Sequence, residues 1–154
     1  MAATTALTLV NALLAGMVPQ AQIPTALCLT EAVVYEARGE SRAGKQAVAN
    51  VIMNRVDNRE HFPNSVCGVL HQPHAFSHVR KGVSLSDIYV RNESSRQAVI
   101  AATEVSVRAL KGELPDNTLG ADHFFRKDIQ TPHWASDPIK QVYVGEHEFV
   151  KLYP

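Results

Sequence analysis

The sequence predicts a mainly α-helical α+β domain with a small β region at its C-terminal end. Apolar residues recur at helical spacing through most of the chain, whereas the final segment alternates apolar and polar side chains. Helices followed by strands are the element order of α+β proteins. A length of 154 residues with 45% hydrophobic residues suffices for one core. We therefore expect a single domain over residues 1–154.

The N-terminal segment is predicted to form a helix over about residues 2–18. Residues 1–26 carry no charged side chain, and an apolar run extends through residues 6–18. An export signal is the alternative, although the run lacks a positively charged start and is shorter than a bilayer span. No later segment is apolar enough to cross a bilayer, so we expect no stable membrane insertion.

Helices are also predicted at 24–38, 41–56, 66–70 and 93–110, with residues 82–92 irregular. Each helical segment repeats apolar residues on one face, and glycine follows the end of the first and the last.

The C-terminal part is predicted to be extended. Residues 121–126 are rich in aromatic side chains, and the alternating segments 141–144 and 147–152 flank a Gly-Glu pair typical of a hairpin.

Composition and motifs exclude several function classes. Fifteen basic residues balance fifteen acidic ones, so the chain lacks the field that attracts nucleic acid. Neither a Gly-x-Ser-x-Gly elbow nor a phosphate-binding loop occurs. The spacing of Cys67, His71, His74 and His78 would suit zinc, but Pro73 interrupts the helix that would align them. We favour unliganded histidines, with no metal and no cofactor.

The densest polar cluster spans residues 35–40, at the end of a largely apolar helix. Apolar surroundings disfavour the charged form of a carboxyl, which suits Glu36 to act as a general acid on a glycosidic oxygen. An ordinary surface ion pair with Arg38 or Arg42 is the alternative. Among the aromatic side chains beside turns or polar residues, Phe76, Phe124 and Trp134 could stack on sugars or fill space under loops.

Several blocks together resemble the SleB-type cell-wall hydrolases, which include spore cortex-lytic enzymes and phage lysins. The resemblance runs from about residue 27 to 153, in the blocks 35–40, 44–56, 62–70, 72–73, 75–77, 120–124, 132–135 and 145–149. It implies a lysozyme-like domain that cleaves peptidoglycan between N-acetylmuramic acid and N-acetylglucosamine. The catalytic acid of the family, the first Glu of Glu-Ala-Arg-Gly-Glu, is Glu36 in this chain.

Substrate contacts are expected from residues beside these blocks: Phe76, Phe124 and Trp134 as stacking faces, and His123 as a polar contact. The family is similar to lytic transglycosylases, which use one carboxyl and release a 1,6-anhydro end. A hydrolytic muramidase would need a second carboxylate, for which Glu31, Glu40 and Asp122 are the candidates. Glu31 points about 140° away from Glu36 around the helix, so a single-acid mechanism is simpler. A hydrolytic muramidase, a non-catalytic wall-binding module and a zinc-dependent amidase or peptidase remain alternatives.

The two cysteines, Cys28 and Cys67, leave one bridge or two free thiols open. Many relatives carry a cysteine at the position of His78, which would pair with the counterpart of Cys67. We therefore favour a free Cys67 over a bond to Cys28. That would suit a phage-type endolysin that accumulates in the host cytoplasm before it acts, as a monomer, on peptidoglycan in the periplasm or cell wall.

Overall fold

The computed structural model describes residues 10–76 and 84–154, and it confirms a mainly helical α+β fold with a small C-terminal sheet. The helices are α1 (Ile23–Ala37), α2 (Arg42–Asp57), α3 (Val66–Leu70), α4 (Leu85–Arg91) and α5 (Glu93–Leu110). The strands are β1 (His123–Arg126), β2 (Lys140–Val144) and β3 (His147–Lys151). Short 3₁₀ turns lie at Gln20–Gln22 and His133–Ala135.

The four helices predicted after the N-terminal segment are confirmed, and side-chain caps define where three of them begin. Ser41 Oγ accepts a hydrogen bond from the Gly44 N–H at 3.3 Å, and Ser65 Oγ accepts one from Gly68 at 3.0 Å. Asn92 caps α5 in the same way. Each cap satisfies a backbone donor that the first helical turn leaves without a partner.

The prediction of irregular structure at 82–92 was wrong, because residues 85–91 form α4. Ser84 Oγ accepts from the Asp87 N–H, and the Asp87 carboxylate accepts from the Ser84 N–H, which is a capping box. Leu85 and Ile88 from this helix are buried. The Ser-x-x-Asp signal was present in the sequence but was overlooked because the segment is short.

Helix α1 lies at the centre of the core and packs against α2, α3 and α5. Its Leu29, Val33 and Val34 are almost fully buried, and alanines on α2 and α5 allow the helices to approach closely. This burial fixes the position of the C-terminal end of α1, where the polar cluster 35–40 begins.

The N-terminal part packs on this body through a second apolar cluster. Residues 10–15 are helical, and Val10, Leu14 and Val18 are buried against Ala26 and Val107. The predicted packing is therefore seen for the described part of that helix, while residues 1–9 lie outside it. No helix in the described ranges is long and apolar enough to span a bilayer.

The C-terminal strands form one antiparallel sheet in the order β1-β3-β2, which confirms the predicted hairpin. Gly145 in its turn has a φ of 58°, and a Cβ there would overlap the Glu40 carboxylate. Only glycine meets both requirements, so the turn holds the sheet close to the corner between α1 and α2.

A disulfide joins Cys28 on α1 to Cys67 on α3, with their Cα atoms 5.4 Å apart. The expectation of a free Cys67 was therefore wrong. The sequence offered two pairing possibilities, and only the approach of α3 to α1 brings these two side chains within bonding distance. His78, on which that expectation rested, lies outside the described residues.

Candidate active site

An open cleft of about 360 Å³ lies between α2, the loop after α3, β1 and the His133–Ala135 turn. It brings together three of the predicted substrate-binding residues, His123, Phe124 and Trp134. The described residues that line it are Arg55, Phe62, Gln72, Pro73, His74, Ala75, His123, Phe124 and Trp134. The segments around 72–75, 120–124 and 132–135, far apart in sequence, thus meet at one depression.

Glu36 is half-buried in the last turn of α1. It lies within electrostatic range of the Arg55 guanidinium, which lines the cleft. The packing of α1 fixes the backbone of Glu36. Glu36 is not among the described residues that line the cleft, but its carboxyl group interacts electrostatically with Arg55, which does line it.

Arg55 is a buried cation that sequence reasoning missed. Its side chain is held from three sides: Nε donates to the Asp122 carbonyl at 2.6 Å, and the guanidinium carbon lies 5.3 and 5.5 Å from the Phe62 and Phe76 ring centres. Burial lowers the pKa of Arg55 to about 10, against the charges of Asp122, Glu36 and Tyr153, which raise it. It is therefore positively charged at neutral pH.

Phe76 does not serve as the stacking face that the sequence suggested. Its side chain is 4% exposed and belongs to the main core, with its ring beside the Arg55 guanidinium. The cleft is lined instead by the residues that precede Phe76, at 72–75. An aromatic residue in a loop could pack into the core or face solvent. Phe76 packs inward, against the core and the Arg55 guanidinium.

Trp134 provides the open aromatic surface of the cleft. It is 48% exposed, with its ring edge-on to Phe125 at 5.6 Å and 5.3 Å from the His123 ring. Phe124 is more enclosed, since it stacks on Phe149 at 5.5 Å. The exposed indole face is the kind of surface on which the apolar face of a sugar packs.

His123 is oriented by the neighbouring Asp122. The His123 ring Nδ1 lies 2.8 Å from Asp122 Oδ1, and the same carboxylate accepts from the Leu152 and Tyr153 N–H groups at 2.9 and 3.0 Å. With Nδ1 bound to the carboxylate, Nε2 on the opposite side of the ring is left for a ligand. His123 thus presents a fixed polar atom at the cleft.

The pKa of Asp122 is lowered. Burial alone would raise it, but the hydrogen bonds from His123, Leu152 and Tyr153 outweigh that effect. A carboxyl whose pKa falls on folding stabilises the protein above its unfolded pKa of about 3.9, and this contribution is lost as the pH falls through the folded value.

Replacing Asp122 with Asn should therefore lower the free energy of unfolding by about 1–3 kcal/mol at pH 7, because an amide has only one oxygen for three donors. Urea unfolding of both proteins at pH 7 and at a pH below the lowered pKa of Asp122 checks this. The difference between them should shrink in acid, since the wild-type carboxylate becomes protonated there. If the difference in free energy of unfolding stayed constant with pH, the stabilisation could not be assigned to the ionised Asp122 carboxylate.

Glu40 joins two distant sequence blocks, 35–40 and 145–149. Its carboxylate accepts from the Glu146 N–H at 3.1 Å and contacts His147 Nδ1 at 2.9 Å, while its carbonyl accepts from Lys45 Nζ. These contacts attach the corner between α1 and α2 to the β2–β3 turn. Glu40 thus binds the backbone amide of Glu146.

Glu31 lies on a different side of α1 from Glu36. It is within electrostatic range of Tyr35, together with Asp87 and Arg91 from α4. Burial, then the charge of Glu31, raises the pKa of the Tyr35 hydroxyl. Glu31 thus lies near Tyr35, whereas Glu36 lies near Arg55 of α2.

The proposed zinc ligands are not assembled in the described part of the chain. Cys67 is in the disulfide and has no thiolate to offer, and His71 Nδ1 lies 2.7 Å from the Cys67 carbonyl oxygen. His78 lies outside the described residues. Within residues 10–76 and 84–154, no three His, Cys, Asp or Glu side chains form a group that could hold a metal ion.

Residues 39–150 match the cell wall hydrolase family. The spore cortex-lytic enzyme of Halalkalibacterium halodurans is 37% identical over 122 residues, which are 79% of this chain and 33% of that protein. The spore cortex-lytic enzyme of Bacillus subtilis is 38% identical over 122 residues, 79% of this chain and 35% of that one. The chain thus spans about a third of the length of these curated relatives.

Two solved structures share the fold. The catalytic domain of the Bacillus cereus SleB protein superposes with a TM-score of 0.58 at 35% identity, covering 82% of this chain and 89% of that one. The catalytic domain of a germination-specific lytic transglycosylase, SleB from Bacillus anthracis, gives 0.60 at 36% identity, covering 82% and 93%. The similarity thus covers nearly all of each catalytic domain, and most of the present chain.

Proposed function

The chain belongs to the cell wall hydrolase family, and from that premise we propose that it cleaves the glycan strand of bacterial peptidoglycan between N-acetylmuramic acid and N-acetylglucosamine. The observation that carries the proposal is the position of Glu36, near the buried Arg55 cation of a cleft that also presents the exposed Trp134. A carboxyl group, a fixed cation and an open aromatic face are the parts that acid-assisted cleavage of a sugar chain requires.

In the proposed mechanism, the Glu36 carboxyl protonates the glycosidic oxygen of the leaving sugar as the bond to C1 breaks. The carboxylate that remains lies near the Arg55 guanidinium, which stabilises its negative charge. It then takes the proton from the C6 hydroxyl of the muramic acid while that oxygen attacks C1. The products are a 1,6-anhydro end on the muramic acid and a free hydroxyl on the leaving sugar. No water is consumed, and Glu36 regains its proton.

The contacts of the other candidate carboxylates support a single-acid mechanism. Asp122 accepts hydrogen bonds from three N–H donors, Glu40 is bound to the β2–β3 turn, and Glu31 lies near Tyr35, about 140° around α1 from Glu36. A hydrolytic muramidase would need one of them across the scissile bond to activate water or to act as nucleophile. The hydrolytic alternative uses the same acid, Glu36, and differs in its product.

For substrate binding, we propose that Trp134 and Phe124 contact sugar faces and that His123 Nε2 bonds a sugar hydroxyl or acetamido group. The Cys28–Cys67 bond favours an oxidising place of action, as expected for the periplasm or cell wall. A phage-type endolysin remains part of the proposal. The free Cys67 that was expected from the sequence no longer supports it, because Cys67 is bonded to Cys28.

The test of this function is the identity of the bond that is broken in purified peptidoglycan. Incubation with the protein should release soluble fragments with new glycan ends and without new free amino groups. New amino groups would instead identify an amidase or peptidase, and binding without any release would identify a non-catalytic wall-binding module. Either result would contradict the proposal.

A further inference from the structure

A second groove, of about 550 Å³, lies beside the cleft. Asn54, Asn58 and Tyr153 are among the residues that line it, with Arg59 and Lys151 as cations. Asp57 and Glu60 also line this groove, so charges of both signs are present and no strong field of one sign results. Such a polar surface suits a ligand rich in hydroxyl and amide groups better than a polyanion.

The two depressions are separated by a single aromatic wall. Tyr153 from the second groove lies 5.9 Å from the His123 ring and 5.7 Å from the Phe62 ring, and both of those rings line the cleft. A ligand that leaves the cleft past His123 therefore meets Tyr153 next.

The same wall belongs to a continuous row of rings. From Trp134 the row passes to His123 at 5.3 Å, to Tyr153 at 5.9 Å and to His61 at 4.1 Å. His61 is exposed and stacked on Tyr153 with an angle of 16° between the ring planes. The row thus begins in the cleft, at Trp134 and His123, and continues beyond its lining to Tyr153 and His61.

One carboxylate aligns the centre of this row. Asp122 is buried, binds His123 Nδ1 at 2.8 Å and accepts from the Tyr153 N–H at 3.0 Å. The His123 ring on the cleft side and the Tyr153 backbone on the groove side are therefore fixed relative to each other. A surface held in place in this way loses little side-chain freedom when a ligand binds.

We infer that the glycan-binding surface continues from the cleft across Tyr153 into the second groove, which binds a further amino-sugar unit of the same strand. The inference rests on the proposed function, since it assigns the groove to the strand that the cleft cleaves. Tyr153 supplies the aromatic surface of the groove, and His61 supports its ring by stacking on it. The polar side chains of the groove supply partners for the hydroxyl and acetamido groups.

The experiment compares binding of two purified glycan strands without stem peptides, one of two and one of four disaccharide units. Titrations use the Glu36→Gln protein as parent, so that the strands stay intact. The parent should bind the long strand more tightly, and Tyr153→Ala should reduce the ratio of the two affinities about fivefold. Tyr153→Phe keeps the ring and should preserve the ratio.

Tyr143→Ala is the matched control, because Tyr143 is 60% exposed on β2 and lines neither depression. It should leave the ratio unchanged. The inference would be overturned if the parent bound both strands with equal affinity, or if Tyr153→Ala left the ratio of the two affinities unchanged. If the wild type still cleaved the strands, the proposed function would stand. Failure of every variant to bind either strand, with no cleavage by the wild type, would overturn the proposed function as well.

Discussion

Peptidoglycan cleavage should fall about a thousandfold when Glu36 is replaced by Gln, which keeps the shape of the side chain and removes its proton. In the proposed mechanism this one group both donates the proton to the leaving oxygen and takes up the proton of the C6 hydroxyl. Asp122 is held by three N–H donors, and Glu31 points about 140° away from Glu36 around the helix, so we expect neither of these carboxyls to replace it. The rate of release of soluble fragments from purified peptidoglycan measures the effect.

Glu31→Gln is the matched control, because it makes the same change on the same helix but at a position about 140° around it from Glu36, near Tyr35. It should cleave at close to the wild-type rate. Thermal unfolding of both variants should show one cooperative transition above the assay temperature, which separates a loss of chemistry from a loss of fold. A Glu36→Gln protein that cleaves within a few-fold of the wild-type rate would remove Glu36 from the mechanism.

Loss of the Cys28–Cys67 bond should have the largest effect on stability. The bond closes a sequence separation of 39 residues, and its removal should lower the free energy of unfolding by about 4 kcal/mol. For a chain of this size, that corresponds to a decrease of about 8–16 °C in the midpoint of thermal unfolding. Scanning calorimetry of the Cys28→Ser/Cys67→Ser protein would measure it.

The control for this effect is a reducing agent. It should lower the midpoint of the wild type toward that of the double variant and leave the double variant itself unchanged. Activity should follow stability, since α3 leads directly into the loop 72–75 that lines the cleft. A wild-type midpoint that does not respond to reduction would show that the bond contributes nothing to stability.

The helices could be predicted because their signals are local. The apolar stripe and the Ser cap of α2, and the glycine that follows α1, lie within a few residues of the elements they define. Helix α4 was missed although its capping box was equally local, because seven residues are too few for a clear apolar period.

The candidate site was only partly predictable, because its geometry depends on contacts between distant segments. Arg55 lies on the buried side of α2. A basic residue in a helix normally indicates an exposed position, and only the contacts with Asp122, Phe62 and Phe76 show that this one is buried. For Phe76 the sequence left a sugar-stacking face and packing under a loop both open, and its burial depends on contacts with the core and Arg55 that no local pattern reports. Glu40 bonds to a turn 106 residues away, which no local pattern reports.

The masses of the muropeptides released from purified peptidoglycan by the wild-type protein test the central claim most directly. The single-acid mechanism of Glu36 predicts that most new glycan ends are 1,6-anhydro ends, which are lighter than reducing ends by one water. A majority of reducing ends would contradict it, because water would then have attacked C1 in place of the C6 hydroxyl.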